Sequence, residues 1–172
     1  MILNLGSPVP LLASLLCFVL AQPVRAEGRG DWPGYSWQQF GIAKCLPTAS
    51  VLTCPAFHQK WDWKRDQWVD IAIAIDIQHG RLNLTQQLSN RDRHDDDDVC
   101  VTVLVLDEGG LTILAHHQNW HLRHDTAMED DFVLRSGKIA AAASIHIGSK
   151  QCRQGSHQDD ARYAAVLAGI TP

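Results

Sequence analysis

The sequence predicts a mainly-β α+β domain: one antiparallel meander of five or six strands with one C-terminal helix, stapled by disulfides. Three observations lead there. Val69, Ile71, Ile73, Ile75 and Ile77 alternate with Asp70, Ala72, Ala74, Asp76 and Gln78, a period of two that a helix could not bury on one face. Val99, Val101, Val103 and Val105 repeat the pattern, and their intervening residues Cys100, Thr102, Leu104 and Leu106 are also largely apolar. Near the C-terminus, the apolar run Ala161 to Leu167 stops at Gly169 with Pro172 beyond, as a helix end does.

The elements follow in order. Met1 to Ala26 reads as a cleaved secretory leader. Its apolar block Leu11 to Ala21 precedes Val24-Arg25-Ala26, a cleavage-site pattern ending before Glu27. The block is about half the length that crosses a bilayer, so an anchor is not expected. Residues 27–60 are broken by Gly28, Gly30, Pro33, Gly34, Pro47 and Pro55 and read as an irregular, disulfide-pinned segment. Residues 61–172 carry the meander and helix, forming one globular domain with 27–60.

Within that part, His79-Gly80 turns the first alternating strand into a second through Leu82, Leu84 and Leu88. Ser89 to Asp98 is a charged loop. The strand from Val99 has two apolar faces and is expected to be central. Asp107-Glu108-Gly109-Gly110 turns into Leu111, Ile113 and Ala115. The parity change before Trp120 and Leu122 places a bulge near His116-His117. Ile139 to Ile147 supplies the last strand, and Ser156 with Asp159 resembles a capping box for the helix.

Composition narrows the function. The chain is 45% hydrophobic and 20% charged, with formal charge −4, an ordinary globular balance. Loss of Arg25 with the leader makes the mature chain more acidic. Without a dense Lys/Arg cluster, nucleic-acid binding is not expected. Four of the five cysteines survive cleavage. An even number in an exported chain implies two disulfides, and Cys45–Cys54 with Cys100–Cys152 is the favoured pairing. The protein is therefore expected in a periplasm or outside the cell, with no integral membrane segment after cleavage.

Two constellations could carry chemistry. Trp61, Trp63 and Arg65 lie in a Trp-rich segment, and indole and guanidinium groups often anchor protein or glycan recognition; the competing reading is that these rings pack the core. Leu46 and Ser50 lie in the Cys45–Cys54 loop, whose closure would lower the entropic cost of docking. The second constellation is histidine: nine in all, four between His116 and His124. His117, His121 and His124 would share a face of a helix and could hold zinc. In a strand, His117 and His121 stand about 13 Å apart, too far for one ion, and strand is the expected state. A carboxylate of Asp95 to Asp98, or Glu108, could serve as base in a hydrolase. Neither a Gly-x-Ser-x-Gly motif nor an unpaired mature cysteine offers a nucleophile.

The lead expectation is thus a small exported, non-catalytic binding protein. It would recognise a protein or glycan through Trp61, Trp63 and Arg65 together with Leu46 and Ser50. The alternatives are a zinc-type hydrolase using the His116–His124 cluster and a structural envelope component.

Overall fold

The computed structural model describes residues 32–62, 64–153, 157 and 159–170. The expected leader, Trp63 and the Ser156 cap lie outside them. The fold is mainly β and antiparallel, with a C-terminal helix and two disulfides, as the alternation requires. Its strands divide between two sheets and number ten among the described residues, where the sequence indicated a single meander of five or six.

The strands are β1 (Ser36–Gly41), β2 (Leu46–Thr48), β3 (Val51–Thr53), β4 (Phe57–Asp62), β5 (Gln67–Asp76) and β6 (Arg81–Asn90). β7 (Asp97–Asp107), β8 (Thr112–Leu122), β9 (Thr126–Arg135) and β10 (Ala142–Gln151) follow, then helix α1 (Asp160–Gly169). One sheet runs β1-β10-β7-β8; the other runs β2-β3-β5-β6-β9, with β4 also paired to β5. The core between them takes Val69, Ile71, Ile73 and Ile75 from β5, Leu82, Leu84 and Leu88 from β6, and the alternate valines of β7.

β7 is central, between β10 and β8, with both faces buried. Its second face meets a smaller apolar cluster. Leu104, Leu106 and Ala115 pack there beneath Trp32, Tyr35 and Trp37, with Tyr163, Val166 and Ile170 on the α1 side. Both apolar faces of the β7 sequence are thereby used.

Residues 32–60 are more regular than their proline and glycine content suggests. β1 forms because it completes the β10 edge in register, Trp37 opposite Gly148. A Cβ on Gly148 would stand 2.7 Å from the Trp37 ring, so only glycine admits that indole. The Cys45–Cys54 disulfide closes the β2–β3 hairpin onto β5. The irregularity in β8 also differs from expectation. It lies opposite Val105/Leu106, near Thr112 to Leu114, so Leu114, His116, Gln118, Trp120 and Leu122 share the core-facing parity and no bulge is needed at His116-His117. α1 begins at Asp160, with Asp159 at the N-cap position but making no side-chain cap; its carboxylate is held elsewhere.

Candidate functional site

Three segments meet at one end of the sandwich, where the turn from β4 to β5 faces the start of β1 and the end of β10. They enclose an open recess of about 680 Å³. The walls carry Lys64, Arg65, Lys150 and Arg153 against a single acid, Asp62, with Ser36, Ser149 and Gln151 between them. This basic character is local to a chain that is acidic overall.

Ion pairs fix the walls. The Arg65 guanidinium lies 3.5 Å from Asp62 and 3.3 Å from Asp95. Lys150 reaches a carboxylate oxygen of Asp159 at 2.6 Å, with both side chains nearly fully buried. Asp159 also receives the Tyr35 hydroxyl at 3.1 Å and Arg162 at 3.0 Å. Lys150 lies 4.5 Å from the Tyr35 ring centre, and burial drives the Tyr35 hydroxyl strongly toward its neutral form. This network explains why Asp159 does not cap its own helix. Arg153 is exposed and makes no ion pair with the described residues. Ser149 is 1% exposed, and its hydroxyl has no hydrogen-bond partner among them. A buried hydroxyl left so costs about 1–3 kcal/mol, which a ligand atom entering the recess would offset.

Trp61 and Arg65 both line this recess. Trp61 is not the exposed stacking surface expected of it: it is buried in the core, and its indole N–H donates to Asp97 at 3.1 Å. Gln151 donates to the other Asp97 oxygen at 2.8 Å. Trp68 instead lies on the outer sheet face, stacked on His58 with ring centres 4.4 Å apart. Leu46 and Ser50 are exposed on the stapled hairpin, but Thr53 of that hairpin pairs with Ala74 whereas Asp62 pairs with Gln67. Seven residues of β5 therefore separate them, about 23 Å of strand. The two segments do not form one surface.

Nor do the three histidines converge. His117 turns toward α1, between Trp32 and Tyr163, and shares a 2.8 Å hydrogen bond with the Thr102 hydroxyl. His121 faces Asp98 at 3.2 Å and comes within 3.9 Å of Asp96, which His124 holds at 2.8 Å, so these two meet at one carboxylate while His117 stands apart. Strand spacing keeps His117 from the others. Among the described residues, mutually close ligand atoms of three such groups occur only at Cys100, Cys152 and Asp159, where the two sulfurs are already bonded to each other. The acids of the 95–98 run have structural partners of their own. The Asp96 carboxyl is held below the usual range, chiefly by the backbone N–H of His124, and Asp97 is buried under Trp61 and Gln151.

Lys64, Ser149, Lys150 and Arg153 were not singled out from the sequence. The only local sign was Lys64-Arg65; the remaining residues join it through pairings that link distant segments.

No protein-family model matches the chain, and no curated protein matches it. Solved structures give distant likenesses. A DUF1425 family member from Shewanella sp. pv-4 has a TM-score of 0.36 at 10% identity, over 64% of this chain and 98% of that one. A protein of the T13 IBDV viral particle reaches 0.37 at 13% identity, over 72% and 27% respectively. The enzymatically active domain of tailspike protein 4 from bacteriophage CBA120 reaches 0.25 at 14%, over 70% and 18%.

Proposed function

We propose that this chain is a small exported binding protein that takes an anionic group of a protein or glycan partner into the recess beside Trp61 and Arg65. The observation that carries the reading is the convergence of Lys64, Arg65 and Arg153 on a recess containing the buried, unpartnered Ser149 hydroxyl. Cations attract a sulfate, phosphate or carboxylate, and the hydroxyl can donate to it. The ion pairs of Arg65 with Asp62 and Asp95 leave that side chain little ordering to do on binding, which favours affinity. Export, to a periplasm or beyond the cell, rests on the leader-like N-terminus and the two disulfides. Among the described residues no helix is long and apolar enough to cross a membrane.

The test is a panel of acidic and neutral oligosaccharides and peptides, presented to the oxidised protein and to an Arg65→Ala/Arg153→Ala variant. Selective retention of acidic members, reduced about tenfold or more in the variant and weakened by salt, is the expected result. Retention of neutral members alone, or equal retention by both proteins, removes the reading.

A further inference from the structure

At the opposite end of β5 lies a second recess, of about 700 Å³ and different chemistry. Here β8, the edge of one sheet, diverges from β9, the edge of the other, and the end of α1 closes over the gap. Ile113 and Leu114 of β8, Leu134 of β9, and Leu167 and Ile170 at the end of α1 line it. Val133 and Leu167 stand 57% and 44% exposed at the rim, large apolar side chains left in water.

The arginine at the mouth is Arg135. Arg135 lies directly opposite Arg81 across the β6–β9 pair, an arrangement of like charges that is unfavourable unless compensated. Asp76 compensates Arg81, at 2.7 Å, and also holds His79 at 2.7 Å. Arg135 makes no ion pair with the described residues and lines the groove. An apolar trough with one uncompensated cation at its mouth suits a molecule with an apolar tail and an anionic head. A second copy of the chain suits it less well. The β9 edge leading into the groove carries Glu129, Asp130 and Asp131 in succession, and such an acidic edge repels another of its kind.

We propose that this groove binds a single-chain anionic amphiphile, its acyl tail on Ile113, Leu114 and Leu134 and its head at Arg135. The site is independent of the basic recess, from which the length of β5 separates it.

The experiment is calorimetric titration of the oxidised protein with octanoate, decanoate and laurate, each below its micelle concentration, and with dodecyltrimethylammonium. Each added pair of methylenes should tighten binding about tenfold until the groove is full. Laurate should bind more tightly than the cationic amphiphile of equal tail length, and Arg135→Glu should reverse that order. Leu167→Glu, at an exposed position, should abolish carboxylate binding while leaving the melting temperature within a few degrees. Arg65→Ala should change nothing. Affinity independent of tail length, or unaffected by Leu167→Glu, overturns the proposal. So does a concentration-dependent dimer that Leu167→Glu dissociates, which would give the groove to self-association.

Discussion

The ammonium of Lys150 lies 2.6 Å from the carboxylate of Asp159, and neither group has appreciable contact with water. The pair joins the end of β10 to the start of α1 beside the Cys100–Cys152 disulfide. Asp159→Leu strands the Lys150 charge in a low-dielectric site and should destabilise the protein by roughly 3–5 kcal/mol in urea unfolding. Lys150→Met should cost less, because Arg162 and the Tyr35 hydroxyl still hold the Asp159 carboxylate. The double variant should recover a substantial part of the loss, less whatever Tyr35 and Arg162 surrender. Additive losses would show that the two side chains contribute independently.

Gly148→Ala places a methyl where the Trp37 ring already lies. Either the indole or β1 must move, an overpacking cost of about 1–3 kcal/mol. Trp37→Leu in the same background should relieve part of it. A melting temperature unchanged by Gly148→Ala would contradict the packing described.

His116 is buried against Phe132, with ring centres 4.3 Å apart. Burial first, and the neighbouring His117 second, push its imidazole down to about 4 from an ordinary 6.5. The folded protein therefore refuses a proton that the unfolded chain accepts below pH 6.5. The stability linked to this group is present above that pH and declines as pH falls, levelling off near pH 4, by up to about 3 kcal/mol. His117 is displaced in the same direction, also mainly by burial. Urea unfolding at pH 7, 5.5 and 4 should show this decline, and His116→Gln should flatten it.

Ala49, at the tip of the stapled β2–β3 hairpin, has φ of 54°, in the left-handed region that disfavours a Cβ. Ala49→Gly should raise stability by several tenths to about 1 kcal/mol. A loss of stability on this change would show that the unfolded chain's gain in freedom outweighs the relief.

Much of this architecture is legible in the residues. The β5–β6 hairpin follows from strict alternation around His79-Gly80. The central place of β7 follows from its two apolar faces, and the disulfides follow from cysteine number and spacing. β1 to β4 were less visible because their strand state comes from partners distant in sequence, such as Gly148 beneath Trp37. β9 hides its role because its outer face, Glu129 and Asp131 included, remains in water. The basic recess brings Lys64-Arg65 to Ser149 and Arg153 by tertiary folding alone. Conversely, His117 and His121 are close in sequence and apart in space, because four residues of strand carry them about 13 Å along one face.

The central claim, anion recognition in the basic recess, is tested most directly by backbone-amide NMR. The oxidised protein would be titrated with a sulfated oligosaccharide, an acidic oligosaccharide and a poly-glutamate peptide. At least one should give saturable shifts concentrated at Ser36, Lys64, Arg65, Ser149 and Arg153 and lost in Arg65→Ala/Arg153→Ala. Saturable shifts elsewhere on the surface, or none with any of the three, would contradict the account.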